Sequence, residues 1–487
     1  MEEPDENGTG RSRVAANAAY LLATNVYRIL LNMAIFFVVA RVLGAEELGR
    51  YAFALSYATL FSVAVHLGLN DLIIRQVAVN KDDGPLYFTV AVAVKLVMGV
   101  LVTVATAVTI GVSGKPTAVQ ELVLAAALMT SFVAGVETVV VAFFYAYERM
   151  SYVLVLGVLK VTLNAVVGIG AALAGFGARG ILWGFLAVEA LVAAFAFFWV
   201  RRRLGIRFTR PPARAFTSLL WKSLPFGLNG VFITIYMQLH YSLLSFFVGD
   251  AATGVYAAAA KLVTFLCFIP SALTQALYPY LSRLAADANA DPGKAAARSI
   301  RYLALLSFPA AIYIFLRAGA IIDLAYGAGY GEASRLLAVL ALTLPFVFAS
   351  YPAAVALNAV RKERANTAVA AGGAAVNVAA NLIMVPLWGP LGAAVAFLAT
   401  ELSQGVARLA LLRVWLGRLR LLNTLARIVP AAAAMALATY VTRALPLYAE
   451  IPILAVVYAG CAFLTGAVRR DDVAVLLRRH PRRRQSL

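Results

Sequence analysis

Apolar runs long enough to cross a lipid bilayer recur from one end of this 487-residue chain to the other, and no other feature limits its folding as strongly. A bilayer-crossing helix needs roughly 20 residues. Runs of that kind fall near 15–40, 51–70, 86–111, 119–146, 152–176, 181–200, 218–248, 252–282, 301–326, 334–358, 367–387, 392–416, 426–442 and 452–467. In hydrocarbon every backbone amide and carbonyl must be bonded within the protein, which leaves helices or a closed barrel. Runs this long are helical, so the expected fold class is all-α integral membrane with 14 transmembrane helices. Composition agrees, with 62% hydrophobic and 13% charged residues and a mean hydropathy of +0.84. Soluble domains are nearer half apolar and a quarter charged. The first 13 residues are polar and the run after them, about 25 residues, is too long for a signal-peptide core, so a first span is expected rather than a cleaved leader.

The 42 Lys plus Arg against 23 Asp plus Glu give a net charge of +19. A nucleic-acid partner is not expected, because such proteins are basic and polar at once. With an inward amino terminus, 27 cations fall in inner loops and the tail, 6 in outer loops, and the remaining 9 inside spans. That asymmetry is the positive-inside pattern. It predicts a multi-pass protein of a bacterial or archaeal cytoplasmic membrane with both termini in the cytoplasm. Cys267 and Cys461 are far apart in apolar runs and read as buried hydrophobes, so no metal and no cofactor is expected. Outer loops reach about ten residues at most, the longest being 41–50. There is no room there for an extracytoplasmic catalytic domain, so no catalytic residues and no enzyme activity are expected.

The sequence also repeats. Leu43, Gly44, Gly49, Tyr51, Ala52 and Ala54 around the link from span 1 to span 2 are answered, in the same spacing, by Val248, Gly249, Gly254, Tyr256, Ala257 and Ala259 between spans 7 and 8, at a constant offset of 205. Gly177, Gly180, Phe185, Leu186, Ala187 and Glu189 of span 6 are answered by Gly389, Gly392, Phe397, Leu398, Ala399 and Glu401 of span 12, offset by 212. A six-helix unit begins and ends on one side of the membrane, so the copies are expected to be parallel, with a substrate site between them, as in transporters built from repeats. The organisation predicted is an N-lobe at 1–200 (spans 1–6), a basic cytoplasmic linker at 201–217, a C-lobe at 218–417 (spans 7–12), an extra helix pair at 418–467 (spans 13 and 14) and a basic cytoplasmic tail at 468–487. Pro225, Pro270, Pro279, Pro309, Pro345, Pro352 and Pro386 all lie in spans 7–11, whereas spans 1–6 have none. More broken helices are therefore expected in the second half.

Arg41, Leu43, Gly44, Glu46, Glu47, Gly49 and Tyr51 resemble the opening of the polysaccharide-transporter branch of the multidrug/oligosaccharidyl-lipid/polysaccharide exporter superfamily, which includes the Wzx-type O-antigen flippases. Leu224, Pro225, Gly249, Asp250, Gly254, Tyr256 and Ala259 are similar to its second-half counterpart. The resemblance implies a flippase that moves a polyprenyl-diphosphate-linked oligosaccharide from inner to outer leaflet by alternating access. Its product would feed surface polysaccharide such as the O-antigen of lipopolysaccharide, beside a polysaccharide polymerase machinery. The same superfamily offers two alternatives, a cation-coupled multidrug exporter and a lipid II flippase. Relatives often carry an acid in span 7 where this chain has His240, which puts the coupling ion in question.

A charge near the bilayer centre needs a partner or a use. Helix rise puts Lys95 and Glu137 at one depth, predicting a structural pair. Lys160 and Glu189 form a second, less well matched, pair, and Glu401 and Arg408 lie seven apart on one helix face. Glu189 and Glu401 are repeat-equivalent candidate proton or ion sites. Arg28 and Lys261 fall near mid-membrane, and spans 1, 2, 7 and 8 hold no acid. Because those four helices line the inward cavity in the resembled family, Arg28 and Lys261 are the candidate ligands of a diphosphate. His66, His240 and the adjacent Tyr241 are candidate cavity-lining residues. The stretch 201–222, with seven cations interleaved with apolar and aromatic residues, suits anionic inner-leaflet lipids.

Overall fold

The computed structural model describes residues 6–287, 290–417 and 421–468. The tail arginines of 469–487, and Arg418 and Arg420, lie outside the described residues. The fold is 90% helix with no strand among the described residues, as a chain that must satisfy its backbone in hydrocarbon requires.

Among the described residues ten helices are long and apolar enough to cross a membrane. Two of them, Asn25–Val79 and Glu363–Leu416, run to 55 and 54 residues. At about 1.5 Å per residue each is more than twice a bilayer's thickness, and each breaks at a glycine, Gly44 in the first and Gly389 in the second. Counting each as two spans, and adding the bent pair Ala333–Ala341 and Leu344–Ala359 and the shorter apolar helix Ala426–Thr442, gives the 14 spans of the sequence.

The repeat has a backbone explanation. Gly44 (φ 73) and its copy Gly249 (φ 119) both take positive φ at the junction of consecutive spans, as do Gly177 (φ 60) and its copy Gly389 (φ 57). A side chain at such a φ is strained, so glycine is needed at both members of each pair. The two blocks of matching sequence are therefore the turns of the copied unit.

The helices group into two compact units. The first comprises residues 6–261, 325–333 and 370–396 of the described chain. In it α1 (Glu6–His66) is followed by α2 (Leu69–Val79), α3 (Gly84–Gly111), α4 (Thr117–Ala127), α5 (Ala134–Ala146), α6 (Met150–Leu173), α7 (Gly177–Leu204), α8 (Ala213–Phe247) and most of α9 (Asp250–Leu266). Its core is aromatic and β-branched toward one end, where Ile73, Phe88, Val140, Phe143, Phe144 and Val192 are buried together. A second cluster, Phe53, Ala54, Ala58, Val123, Ala126 and Leu182, is rich in alanine, which lets helices approach closely.

The second unit comprises residues 262–324, 334–369 and 397–468 of the described chain, including α10 (Phe268–Ala286), most of α11 (Pro292–Tyr326), α12 (Ala333–Ala341), α13 (Leu344–Ala359), the two ends of α14 (Glu363–Leu416), α15 (Leu421–Thr442) and α16 (Leu447–Leu464). Leu281, Ile300, Leu357 and Leu412 form one core cluster in it. The α15–α16 hairpin is fastened by a buried ion pair. Arg317 Nε lies 3.0 Å from Glu450 Oε2, and Glu450 is 0% exposed. Arg317 also donates to the carbonyls of Arg443 and Leu445, at 2.9 and 3.1 Å.

Helix breaks are not confined to the proline-bearing half. Span 8 divides at Cys267, three residues before Pro270, and α12 meets α13 at 43° beside Pro345. In the first half, however, span 4 contains a π-helical turn, Leu128–Val133, without any proline, and in the second half the break in α11 falls at Arg317, well away from Pro309.

Candidate functional site

The first unit contains a half-open cavity of about 450 Å³, where four elements bring polar side chains together among apolar ones. From α1 come Asn25, Arg28 and Asn32, spaced three and four apart and so on one face. From α6 come Gly157, Lys160, Val161 and Asn164, again one face, and from α7 Phe185 and Glu189. Span 4 contributes Met129 and Thr130 from its π turn, then Glu137 and Tyr145 from α5. A π turn carries an extra residue and rotates everything beyond it about the helix axis, and Glu137 comes four residues after this one.

At the centre of the cavity wall the Lys160 ammonium sits 2.7 Å from Glu137 Oε2 and 2.6 Å from Glu189 Oε1. The carboxylates are the sheltered members, with side chains 8% and 5% exposed against 30% for Lys160. Arg28 lines the same cavity and acts electrostatically on Glu137. With all four ionised, the two positive and two negative charges cancel.

A second cavity, about 520 Å³, is lined by Thr59, Ser62, His66, Asn70, Asp71, Thr130, Thr138, Gly227, Gly230 and Thr234, among others. Here the His66 ring bonds the Thr130 carbonyl, and the fully buried Lys95 places its Nζ 3.2 Å from His66 Nδ1. Thr130 borders both cavities.

Two expectations are corrected by this geometry. Lys95 and Glu137 match in depth, yet Glu137 is taken by Lys160 and Lys95 turns to His66; equal depth fixes height along the membrane normal and leaves the azimuth open. Arg28 was expected without acidic company, and within spans 1 and 2 that holds, but Glu137 and Glu189 reach its cavity from spans 4 and 6. The Lys160–Glu189 contact is made as the sequence suggests.

The other candidates lie elsewhere. Lys261 stacks its ammonium 5.2 Å from the Phe36 ring centroid. His240 is 4% exposed, bonds the Tyr236 carbonyl, and packs its ring 4.2 Å from Tyr241 and 5.0 Å from Tyr256. None of Lys261, His240 and Tyr241 lines either cavity. Glu401 is buried in the second unit. One helical face along, Arg408 donates to Asn366 Oδ1 at 3.1 Å, to Gln404 Oε1 at 2.9 Å and to Ser350 Oγ.

One cluster escaped the sequence reading. At the end of the first unit that the cation count assigns to the outside, Lys115 donates to Asp250 Oδ1 at 3.1 Å and to the Ser245 carbonyl at 2.6 Å. Arg50 lies 3.8 Å from the other Asp250 oxygen and is itself paired with Glu46 and Glu47. Lys115 had the look of an ordinary loop cation. The available signal was Asp250, an acid in the second copy where the first has Ala45.

Comparison with known proteins places this arrangement. A family described as "Polysaccharide biosynthesis protein" matches residues 38–335, well over half of the chain. The chain belongs to that family. The match includes the glycine turns at Gly44, Gly177 and Gly249 and every residue of the two cavities except Asn25, Arg28 and Asn32. Among solved structures, the chain is similar to a lipid II flippase MurJ in an inward closed conformation, with a TM-score of 0.75, 13% identity, and 94% of this chain and 99% of that one covered. It is also similar to an inward-facing multidrug resistance MATE transporter of the MOP superfamily, with a TM-score of 0.68, 18% identity, and 81% and 95% covered. An outward-facing MATE transporter gives a TM-score of 0.55 at 17% identity, with 84% and 96% covered. No curated protein sequence matches. At these identities the likeness is one of fold. Together with the family match it gives this polysaccharide biosynthesis protein the fold shared by that lipid II flippase and those MATE transporters.

Proposed function

We propose that this protein is a flippase for polyprenyl-diphosphate-linked oligosaccharide, carrying it from the inner to the outer leaflet of the cytoplasmic membrane by alternating access, for surface polysaccharide such as O-antigen. No bond in the glycan is made or broken. The observation that carries the reading is Arg28, a guanidinium about 14 residues into span 1 that lines a polar cavity together with three asparagines. A diphosphate is met by bidentate donors from arginine, and sugar hydroxyls by amides.

In this reading Arg28 and Lys261 bind the diphosphate, His66, His240 and Tyr241 line the path, and Glu189 and Glu401 are the proton or ion sites. The lobes are 1–200 and 218–417, with 418–467 as the added pair. The linker at 201–217 lies on anionic inner-leaflet lipid, and a polysaccharide polymerase takes the delivered glycan. Arg201 covers the Phe208 ring at 5.3 Å and Phe208 is 47% exposed, an apolar edge under a cationic one.

Reconstitution tests it. Purified protein in liposomes should make a prenyl-diphosphate glycan added to one leaflet accessible in the other, with the glycan unchanged and lipid II left in place. Formation of a longer or cleaved glycan would replace the flippase with an enzyme.

A further inference from the structure

Lys160 is the lysine of the cavity that both carboxylates claim and the one that the cavity itself reaches. Its Nζ is held at 2.7 Å by Glu137 and 2.6 Å by Glu189, so the two carboxylate oxygens lie within about 5 Å of each other. Both acids are sheltered behind it, and Asn164, one turn along α6, shares its face. The other ionisable groups around the triad are Arg28 from α1 and Tyr145 from α5. Lys95 from α3 and His66 from the far end of α1 stand on the other side of Thr130.

We propose that this triad is a proton-switched phosphate site: a proton taken up by the Glu137–Glu189 pair releases the Lys160 ammonium to join Arg28 on the diphosphate of the substrate. The proposal rests on the flippase reading above. Its logic is charge and geometry. With both acids ionised, Lys160 and Arg28 are neutralised and an incoming dianion gains nothing net. One proton, shared by the two neighbouring carboxylates, leaves the cavity with a charge of plus one and a single carboxylate on Lys160. Two like charges this close hold one proton between them more readily than either alone. Lys160 stays an ammonium throughout and no bond between heavy atoms changes. The proton passes from hydronium in the aqueous phase onto a carboxylate oxygen, leaving water, and returns to the aqueous phase when the diphosphate leaves.

The triad also explains why a lysine stands where a third cation is wanted only at times. An arginine there would bind two carboxylates in fixed bidentate forks, whereas the lysine ammonium is a compact charge on a flexible stem that can change partners. Glu137 and Glu189 come from different helices, α5 and α7, so their grip on Lys160 from α6 can loosen without unfolding any one helix.

The test measures binding of inorganic pyrophosphate to the full-length protein in nanodiscs, comparing variants at one pH so that ionisation of the probe cancels. At pH 8 the E137Q/E189Q variant should bind at least tenfold more tightly than wild type, since two unit negative charges are removed from a partly screened site, and should lose the extra pH dependence of wild type. K160M should weaken binding at pH 6, with K160R restoring part of it if K160M folds poorly. In weak buffer, wild type should take up about one more proton per pyrophosphate than E137Q/E189Q. Equal affinity of wild type and E137Q/E189Q at pH 8, or equal proton uptake, overturns the switch. Failure of wild type to bind pyrophosphate at pH 6 overturns it too. Leaflet transfer of a prenyl-diphosphate glycan by wild type, measured in parallel, reports on the flippase reading separately.

Discussion

Gly49 and Gly254, one the copy of the other at an offset of 205, lie against each other in the first unit: a Cβ built on Gly49 would strike the Asp250 carbonyl, and one built on Gly254 would strike the Ala45 carbonyl. The repeated sequence is thus also a repeated surface. Each copy's small residue faces the other's backbone, the close approach by which membrane helices gain packing without a hydrophobic drive.

Enlarging either glycine should therefore separate the two helices. G49V and G254V are each expected to lose about 1–3 kcal/mol of stability, the usual cost of overpacking, seen as a lower melting temperature in detergent. G230V, where nothing lies within 4 Å of the added carbon, should leave the melting temperature close to that of wild type.

The Lys115–Asp250 pair lies beside this crossing, with side chains 13% and 15% exposed. D250A strands a nearly buried ammonium and should destabilise by about 1–3 kcal/mol. In K115M/D250A the stranded charge is gone. The double variant should then cost less than the sum of the two single changes, a coupling that a double-mutant cycle in detergent measures.

Glu450 and Arg317 hold the last two helices. E450Q removes the charge while keeping the shape, and leaves Arg317 with only carbonyl partners, so a loss of about 3 kcal/mol is expected for breaking a buried pair. Limited proteolysis should show the effect as faster cleavage between α15 and α16, with the digestion of the first unit unchanged.

Much of this fold was readable because hydrocarbon leaves the backbone few options. Span positions follow from run length, and the glycines at Gly44, Gly177, Gly249 and Gly389 are legible because positive φ demands that residue type in both copies. The polar cavity was only half legible. Arg28 and Glu189 are conspicuous as charges in apolar runs, and Lys160–Glu189 follows from their neighbouring spans. Lys95–Glu137 failed because rise per residue gives depth alone, while which way Glu137 points depends on the π turn at Leu128–Val133, and no proline or glycine pattern marks that turn. The Lys115–Asp250 contact joins residues 135 apart, beyond the reach of any periodicity.

The most direct test of the account is the leaflet-transfer rate of a prenyl-diphosphate glycan in proteoliposomes carrying the R28Q/K261Q variant, at matched protein level and insertion. Neutralising both cations should cut transfer at least tenfold while the melting temperature stays near that of wild type. Transfer at the wild-type rate would contradict the assignment of these residues to the diphosphate.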